Sequence, residues 1–329
     1  MNKLITFKNL DDLSKYFSTE AKCVKYFEQA RWNGQRGCPH CGSTKTYVCK
    51  GIGKYKCGDC RKLFSITTGT YFENTKLPLR KWLIAMYLCL NHKKGVSSLQ
   101  LANTLGITQK SAWFVLHRIR AIVSAEVPEM LLDGMVEADE TYVGGSEKNR
   151  HASKRLHPQP GSESATDKKN SSKSSPFGRA THKDKKVVLG MVQRGGKVVA
   201  RYVPNATSAS IQPFITQHVR PGSRVVTDEW PGYRKLKDFY THDVIKHQDK
   251  VYVVGDIHTN TIENFWSVVK RCVDGTYHQV SRKHIQKYLN EFSFRYNNRK
   301  DTDQQRFASA LALSHGRLKY SQLIEKTTK

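Results

Sequence analysis

The sequence predicts a multi-domain α+β chain, and three observations carry that expectation. Two C-x2-C knuckles stand near the N-terminus, two short amphipathic helices follow around a Gly-containing turn, and from residue 131 the texture changes to strands. A chain of 329 residues is long enough for two or three domains, each burying its own core. The segments divide it into 1–70, a short helix and a zinc ribbon; 71–130, a helical unit with a helix-turn-helix; 131–300, an α/β domain; and 301–329, a helical tail.

Charge narrows the partners. Fifty-five Lys and Arg stand against 28 Asp and Glu, a formal net charge of +27. Such an excess repels itself unless a polyanion neutralises it, and double-stranded DNA is the expected polyanion. An anionic membrane surface is the rival, but the longest apolar run, "WLIAMYLCL" at 82–90, falls far short of the roughly 20 residues a spanning helix needs. No signal peptide is visible in "MNKLITFKNLDDL". The expectation is a cytoplasmic, nucleoid-associated protein whose eight cysteines stay reduced.

Four of those cysteines carry a message. "CPHC" at 38–41 and "CGDC" at 57–60 are separated by fifteen residues, at the edge of the window for a four-thiolate zinc site. Cys38, Cys41, Cys57 and Cys60 would close a tetrahedral shell, so the zinc is expected to be structural. A dithiol redox role for each knuckle is the alternative. Between the knuckles, "KTYVCKGIGKYKC" alternates around a Gly turn as a ribbon hairpin would. Cys23, Cys49, Cys89 and Cys272 read as small buried hydrophobes.

The second segment, "GVSSLQLANTLGITQKSAWFVLHRIRAIV" at 95–123, places one short helix before "LGIT" and another from Ser111 to Arg120. That is the helix-turn-helix pattern, whose second helix can enter a major groove. Gln109, Lys110, Ser111, His117 and Arg118 are the expected exposed readers. Ala112, Val115, Leu116 and Ile119 are expected to face inward. A plain helical hairpin packed in a bundle is the bland alternative.

From 131, "GMVEADETYVGG" reads as a buried strand ending in acids, and "KKVVLGMVQRGGKVVARYVP" as two strands around a Gly-Gly turn. A capped helix, "SASIQPFITQHV", comes next, and then "SRVVTDEW", another buried strand ending in acids. Three strands, a helix, a strand and then helices is the order of a ribonuclease-H-like α/β fold. The stretch 146–186 is rich in Ser and Lys and nearly free of apolar residues, and reads as a disordered basic insertion.

Asp139 and Asp228 then fall at the ends of two strands expected to be neighbours, and Glu263 lies on the amphipathic helix opened by "HTNTIENFWSVVKR" at 258–271. Three carboxylates at one point repel one another unless cations lie between them, and hard oxygen ligands select two magnesium or manganese ions. Lys270, seven residues after Glu263, sits on the same side of the helix, where it can meet a phosphate. Glu137, Glu140 and Glu229 stand beside the aspartates as equally acidic competitors. Tyr142 and Ser146 are the residues a covalent recombinase would use instead.

The segments "RWNGQRGCPHCGS", "FSITTGTYFENTKLPL", "DETYVGG", "TDEWPGY", "HTNTIENFWSVVKR" and "EFSFRYNNR" occur in that order. With them the chain resembles the zinc-ribbon DDE transposases of bacterial insertion sequences, a group related to eukaryotic Merlin elements. The resemblance runs from about residue 20 to residue 300. It implies cleavage and strand transfer at terminal inverted repeats by Asp139, Asp228 and Glu263 with divalent metal, and by a homodimer or higher oligomer on DNA. Lys270 matches the family's basic residue seven positions after the third acid. Some relatives have Asn in the third acidic place, which brings in Asn260 or Asn264. The rival from another class is a zinc-ribbon DNA-binding regulator with an inactive nuclease-like domain.

Overall fold

The computed structural model describes residues 7–49, 51, 53–126, 131–144, 185–245 and 253–325. The proposed insertion lies outside these residues but for its last two lysines. No helix among the described residues is long and apolar enough to cross a membrane.

Two helices, α1 (Leu10–Tyr16) and α2 (Glu20–Trp32), precede a three-stranded antiparallel ribbon of β1 (Thr46–Cys49), β2 (Lys54–Cys57) and β3 (Leu63–Phe64). Gly51 and Gly53, both at positive φ, form the turn between the first two strands. Three helices follow: α3 (Leu79–Asn91), α4 (Ser98–Leu105) and α5 (Gln109–Val123). Gly106, left-handed at φ 58, ends α4, and Thr108 caps α5 by accepting from the Ser111 N–H. The turn lies where "LGIT" predicts it.

The mixed sheet comprises β4 (Met135–Val143), β5 (Lys186–Gln193), β6 (Val198–Val203), β7 (Arg224–Asp228) and β8 (Thr241–Ile245). Its order is β6-β5-β4-β7-β8: the first three strands are antiparallel, and β4, β7 and β8 are parallel. Helix α6 (Ser208–His218) connects β6 to β7 and covers one face. The small hairpin β9 (Val253–Val254) and β10 (Ile257–His258) leads into α7 (Asn260–Cys272), which covers the other face together with α8 (Ile285–Asn297). Strand alternation sorts the side chains: Val136 and Ala138 enter the α6-side core, and Val143 the α7-side core.

Helices α9 (Asp303–Ala312) and α10 (Tyr320–Ile324) do not form a tail apart from the rest. Phe307 of α9 packs among Phe7, Phe17, Tyr26 and Tyr87, and Tyr87 donates its hydroxyl to Asp303 at 3.0 Å. The buried side chains of the ribbon, of α1 to α5 and of α9 belong to one continuous core. Phe294 of α8 enters that core while Ile285, Leu289 and Phe292 enter the sheet core, so α8 is the shared wall.

Candidate active site

The four knuckle cysteines come together. Their sulfurs all lie within 4.8 Å of one another, and among the described residues no other group of three or more His, Cys, Asp or Glu ligand atoms does so. Cys38 and Cys60 sulfurs are 3.7 Å apart, and those of Cys41 and Cys57 are 3.6 Å apart. Four sulfurs at 2.3 Å from a tetrahedral ion are separated by about 3.8 Å, so the donor set fits zinc in type and spacing. Backbone N–H groups at Cys60 and Asp59 lower the Cys57 thiol, while the neighbouring thiols raise that of Cys41, as expected of four close sulfurs that share charge. Of the other four cysteines, Cys23, Cys89 and Cys272 are buried as expected; Cys49, on the ribbon, is half-exposed.

The acids are gathered from distant elements. Asp139 does not end its strand: β4 continues to Val143, held there by antiparallel pairing with β5. Pairing with β7 stops at Glu137 opposite Val226, so two further steps of that register bring Asp139 level with Asp228. Asp139 and Glu263 line one open cleft with Glu140, Asp274, Lys94, Trp266, Lys270 and Arg271. Burial, and then the charges of Glu140, Asp228 and Glu263, push Asp139 up to about 7. Carboxylates of Asp139, Glu140, Glu263 and Asp274 stand there beside the cations of Lys94, Lys270 and Arg271, and hard oxygen donors of this kind suit magnesium or manganese.

The competing acids are held differently. Glu140 lines the same cleft as Asp139, but its carboxylate accepts from the Tyr233 hydroxyl at 2.8 Å; burial raises it to about 7, against that hydrogen bond. Tyr142 packs with the same α6-side core, on the face opposite Asp139, which removes it as a nucleophile at this cleft. Ser146 lies outside the described residues. Asn260 and Asn264 do not line the cleft.

Glu137 has another use. Its carboxylate is fully buried and accepts from the backbone N–H groups of Thr261 at 2.8 Å and Ile262 at 3.0 Å. It also accepts from the Thr261 hydroxyl and from Arg194 Nε, each at 2.8 Å, while Arg194 Nη2 reaches the His258 carbonyl at 3.0 Å. Thr259 gives no side-chain cap to α7, so a strand residue two positions before Asp139 caps that helix. The same strand face thereby supplies one acid and anchors the helix carrying another. Gly190, paired with Asp139 across β4 and β5, completes the fit: a Cβ there would lie 2.4 Å from the Trp266 ring.

The ISXO2-like transposase domain family matches residues 131–297, and the transposase zinc-ribbon family matches residues 18–63. The first match spans more than half of the chain. The chain belongs to the ISXO2-like transposase family. An uncharacterized protein in transposable element ISH50 of Halobacterium salinarum is 28% identical over 293 residues, covering 85% of this transposase and 92% of that protein. An uncharacterized transposase-like protein of Haemophilus influenzae is 33% identical over 103 residues, 31% of this chain and 82% of its own length. Among solved structures, the Mos1 strand transfer complex has 14% identity and a TM-score of 0.27, covering 75% and 82% of the two chains.

The expected DNA-facing set of the transposase is only partly exposed. Gln109 and Lys110 are exposed and Ser111 half-buried at the start of α5; Gln109 Nε2 donates to Ser98 Oγ at 2.8 Å. His117 and Arg118 are corrections to the sequence reading: they are 0% and 6% exposed. His117 is enclosed by Trp113, His284 and Tyr288. Arg118 donates to the carbonyls of Glu73 at 2.9 Å and Leu318 at 3.3 Å and lies over the Phe114 ring. Segments that follow α5 by more than 150 residues cover the flank that its own periodicity leaves open. Ala112, Val115, Leu116 and Ile119 are buried as expected. Sequence reasoning missed Lys94, Gly190 and the cap by Glu137; a buried Glu two residues before Asp139 was the one legible signal.

Proposed function

We propose that this transposase binds the terminal inverted repeats of its element, hydrolyses a phosphodiester there, and joins the freed 3′-hydroxyl to target DNA. The observation that carries this reading is the single cleft in which Asp139 and Glu263 face Lys94, Lys270 and Arg271, with the Asp228 charge acting on Asp139. The sheet order supports a ribonuclease-H-like catalytic domain. Asp139, Asp228 and Glu263 would hold two magnesium or manganese ions, which supply charge neutralisation at the attacking and leaving oxygens of an in-line displacement. Lys270, Arg271 and Lys94 bind the phosphate backbone and orient the scissile bond. In the first step a water oxygen bonds to phosphorus, the 3′-oxygen leaves and takes up a proton, and a 5′-phosphate remains. In the second, that 3′-hydroxyl attacks a target phosphodiester, whose own 3′-oxygen departs.

The ribbon and the α4–α5 helix-turn-helix serve end recognition, with Gln109, Lys110 and Ser111 nearest the DNA. Joining two ends calls for a homodimer or higher oligomer. Nicking of a plasmid carrying the element's ends tests the reading. Magnesium or manganese is expected to support cleavage to 3′-hydroxyl ends, and calcium to support binding alone. A parent protein that binds the ends and nicks with neither metal is instead the inactive regulator.

A further inference from the structure

A second groove adjoins the acid cleft, and the two share Gly275. Its walls come from the start of α4 (Ser98, Leu99), from α5 (Trp113, Arg120) and from the segment after α7 (Tyr277, Gln279). Among the described residues that line it, none is Asp or Glu.

Arg120, 1% exposed, donates Nε to Glu291 Oε2 at 2.6 Å. Arg295 donates to the other oxygen of the same carboxylate, and so does the Tyr277 hydroxyl at 2.7 Å. Two guanidiniums therefore share one carboxylate, which leaves the buried cluster with an excess positive charge. Among the described residues, Nη2 of Arg120 and Nη2 of Arg295 find no hydrogen-bond partner. Glu291 and the Tyr288 ring, 3.8 Å from the Arg120 guanidinium, hold these charges in place, and the excess of two guanidiniums over one carboxylate leaves a positive field that favours an anion at the groove.

The second observation is the helix end on the opposite wall. Ser97 Oγ accepts from the Gln100 N–H at 3.1 Å, and Leu101 N–H bonds to the Ser97 carbonyl. The N–H groups of Ser98 and Leu99 lack intrahelical acceptors by helix geometry and stand at the groove with the positive end of the α4 dipole. After α7 the chain makes a π turn, Val273–Tyr277, which brings Tyr277 to Glu291 and sets Gly275 between cleft and groove.

We propose that this groove binds a backbone phosphate of the DNA strand leaving the acid cleft, between the start of α4 and the Arg120 guanidinium. The inference rests on the DNA-cutting function proposed above and names where the strand goes next. It also explains why α5 is tied by a buried ion network to α8: the phosphate seat needs both.

Arg120→Gln would also break a core ion pair, so exposed Gln279 on the groove wall carries the test. Affinity of the full-length protein for a random-sequence duplex is measured between about 50 and 200 mM salt. Gln279→Glu is expected to weaken binding by about three-fold at the low-salt end and to reduce the slope of log affinity against log salt by about one. Gln279→Lys is expected to do the opposite. Exposed Gln322→Glu on α10, a like change of charge elsewhere, is expected to leave the slope unaltered. A slope the same in all four proteins overturns the proposal, as does equal weakening by Gln279→Glu and Gln322→Glu. A free-phosphate pocket is recognised separately: inorganic phosphate, at matched ionic strength against chloride, raises the melting temperature of the parent but not of Gln279→Glu while the DNA slope stays put. That result also overturns the DNA assignment. Failure of the parent to bind any duplex sinks the function proposed above, whereas binding with an invariant slope sinks only the groove.

Discussion

Helices α5 and α7 begin alike and end differently. Both are amphipathic, both carry cations beside an apolar stripe, and in both the flanking polar residues are the ones expected to meet DNA. On α7 the flank stays open: Glu263, Ser267, Lys270 and Arg271 line a cleft at helical spacing. On α5 the same kind of flank is closed, because α8 brings His284 and Tyr288 over His117, and the segment before α10 brings the Leu318 carbonyl to Arg118. The difference teaches that a helix's periodicity decides which residues must be buried, but not which polar residues remain exposed. The latter depends on what packs against it later in the chain.

The comparison breaks most visibly at the acids. Asp139→Asn, Asp228→Asn and Glu263→Gln are each expected to lower strand cleavage by about 10² to 10³ or more while leaving binding to the element's ends near parent level. Glu140→Gln is expected to keep measurable cleavage, since its side chain is turned to Tyr233. A Glu140 variant as inactive as Asp139→Asn would show that the Tyr233 bond does not separate the two.

Next in size is the cap that holds α7 in place. Glu137→Ala leaves Arg194 without its buried partner and two helix N–H groups unsatisfied, at an expected cost of about 3 kcal/mol in chemical denaturation. Asp139→Asn removes a mutually repelling charge from the metal-free protein and is expected to cost no stability. Equal losses in the two variants would mean that Glu137 does not anchor the helix.

On α5 the expected effects are smaller and of another kind. Arg118→Ala is expected to destabilise the fold by about 1–3 kcal/mol through lost carbonyl contacts, with discrimination between element end and random DNA unchanged at matched folded fraction. Lys110→Ala is expected to leave stability within about 0.5 kcal/mol and to weaken DNA binding a few-fold. The reverse pattern would return Arg118 to the DNA interface.

His117 supplies a pH signature. Burial, then the charges of Arg120, His284 and Lys287, lower it to about 2, so the native state keeps it neutral while the unfolded chain takes up a proton near pH 6.5. Its folded value is depressed, so stability is full above about pH 6.5 and is lost as pH falls towards the folded value. The expected loss from this group is about 1 kcal/mol by pH 5.5. His117→Leu is expected to flatten denaturation midpoints over that interval. An unchanged pH profile would mean that His117 is solvated and that the α5 flank is open after all.

The sequence by itself determined what is local or periodic. Two knuckles at C-x2-C spacing bring four thiols to one point because each turn is only a few residues long, and the ribbon, the Gly106 turn and the succession of strands along the chain follow from runs legible in place. Asp139, Asp228, Glu263 and Lys270 were legible as candidates through strand and helix patterning and the family resemblance. The sheet gives Glu137 to the cap of α7, while Asp139 and Glu140 both line the cleft and only Glu140 is bonded there to Tyr233, a difference that no local pattern records. Only the tertiary structure closed the flank over His117 and Arg118, drew Phe307 into the N-terminal core, and paired two arginines with one glutamate beneath a groove. Those outcomes rest on contacts between residues far apart in the chain, where burial depends on every later element that packs, and no local spacing records it.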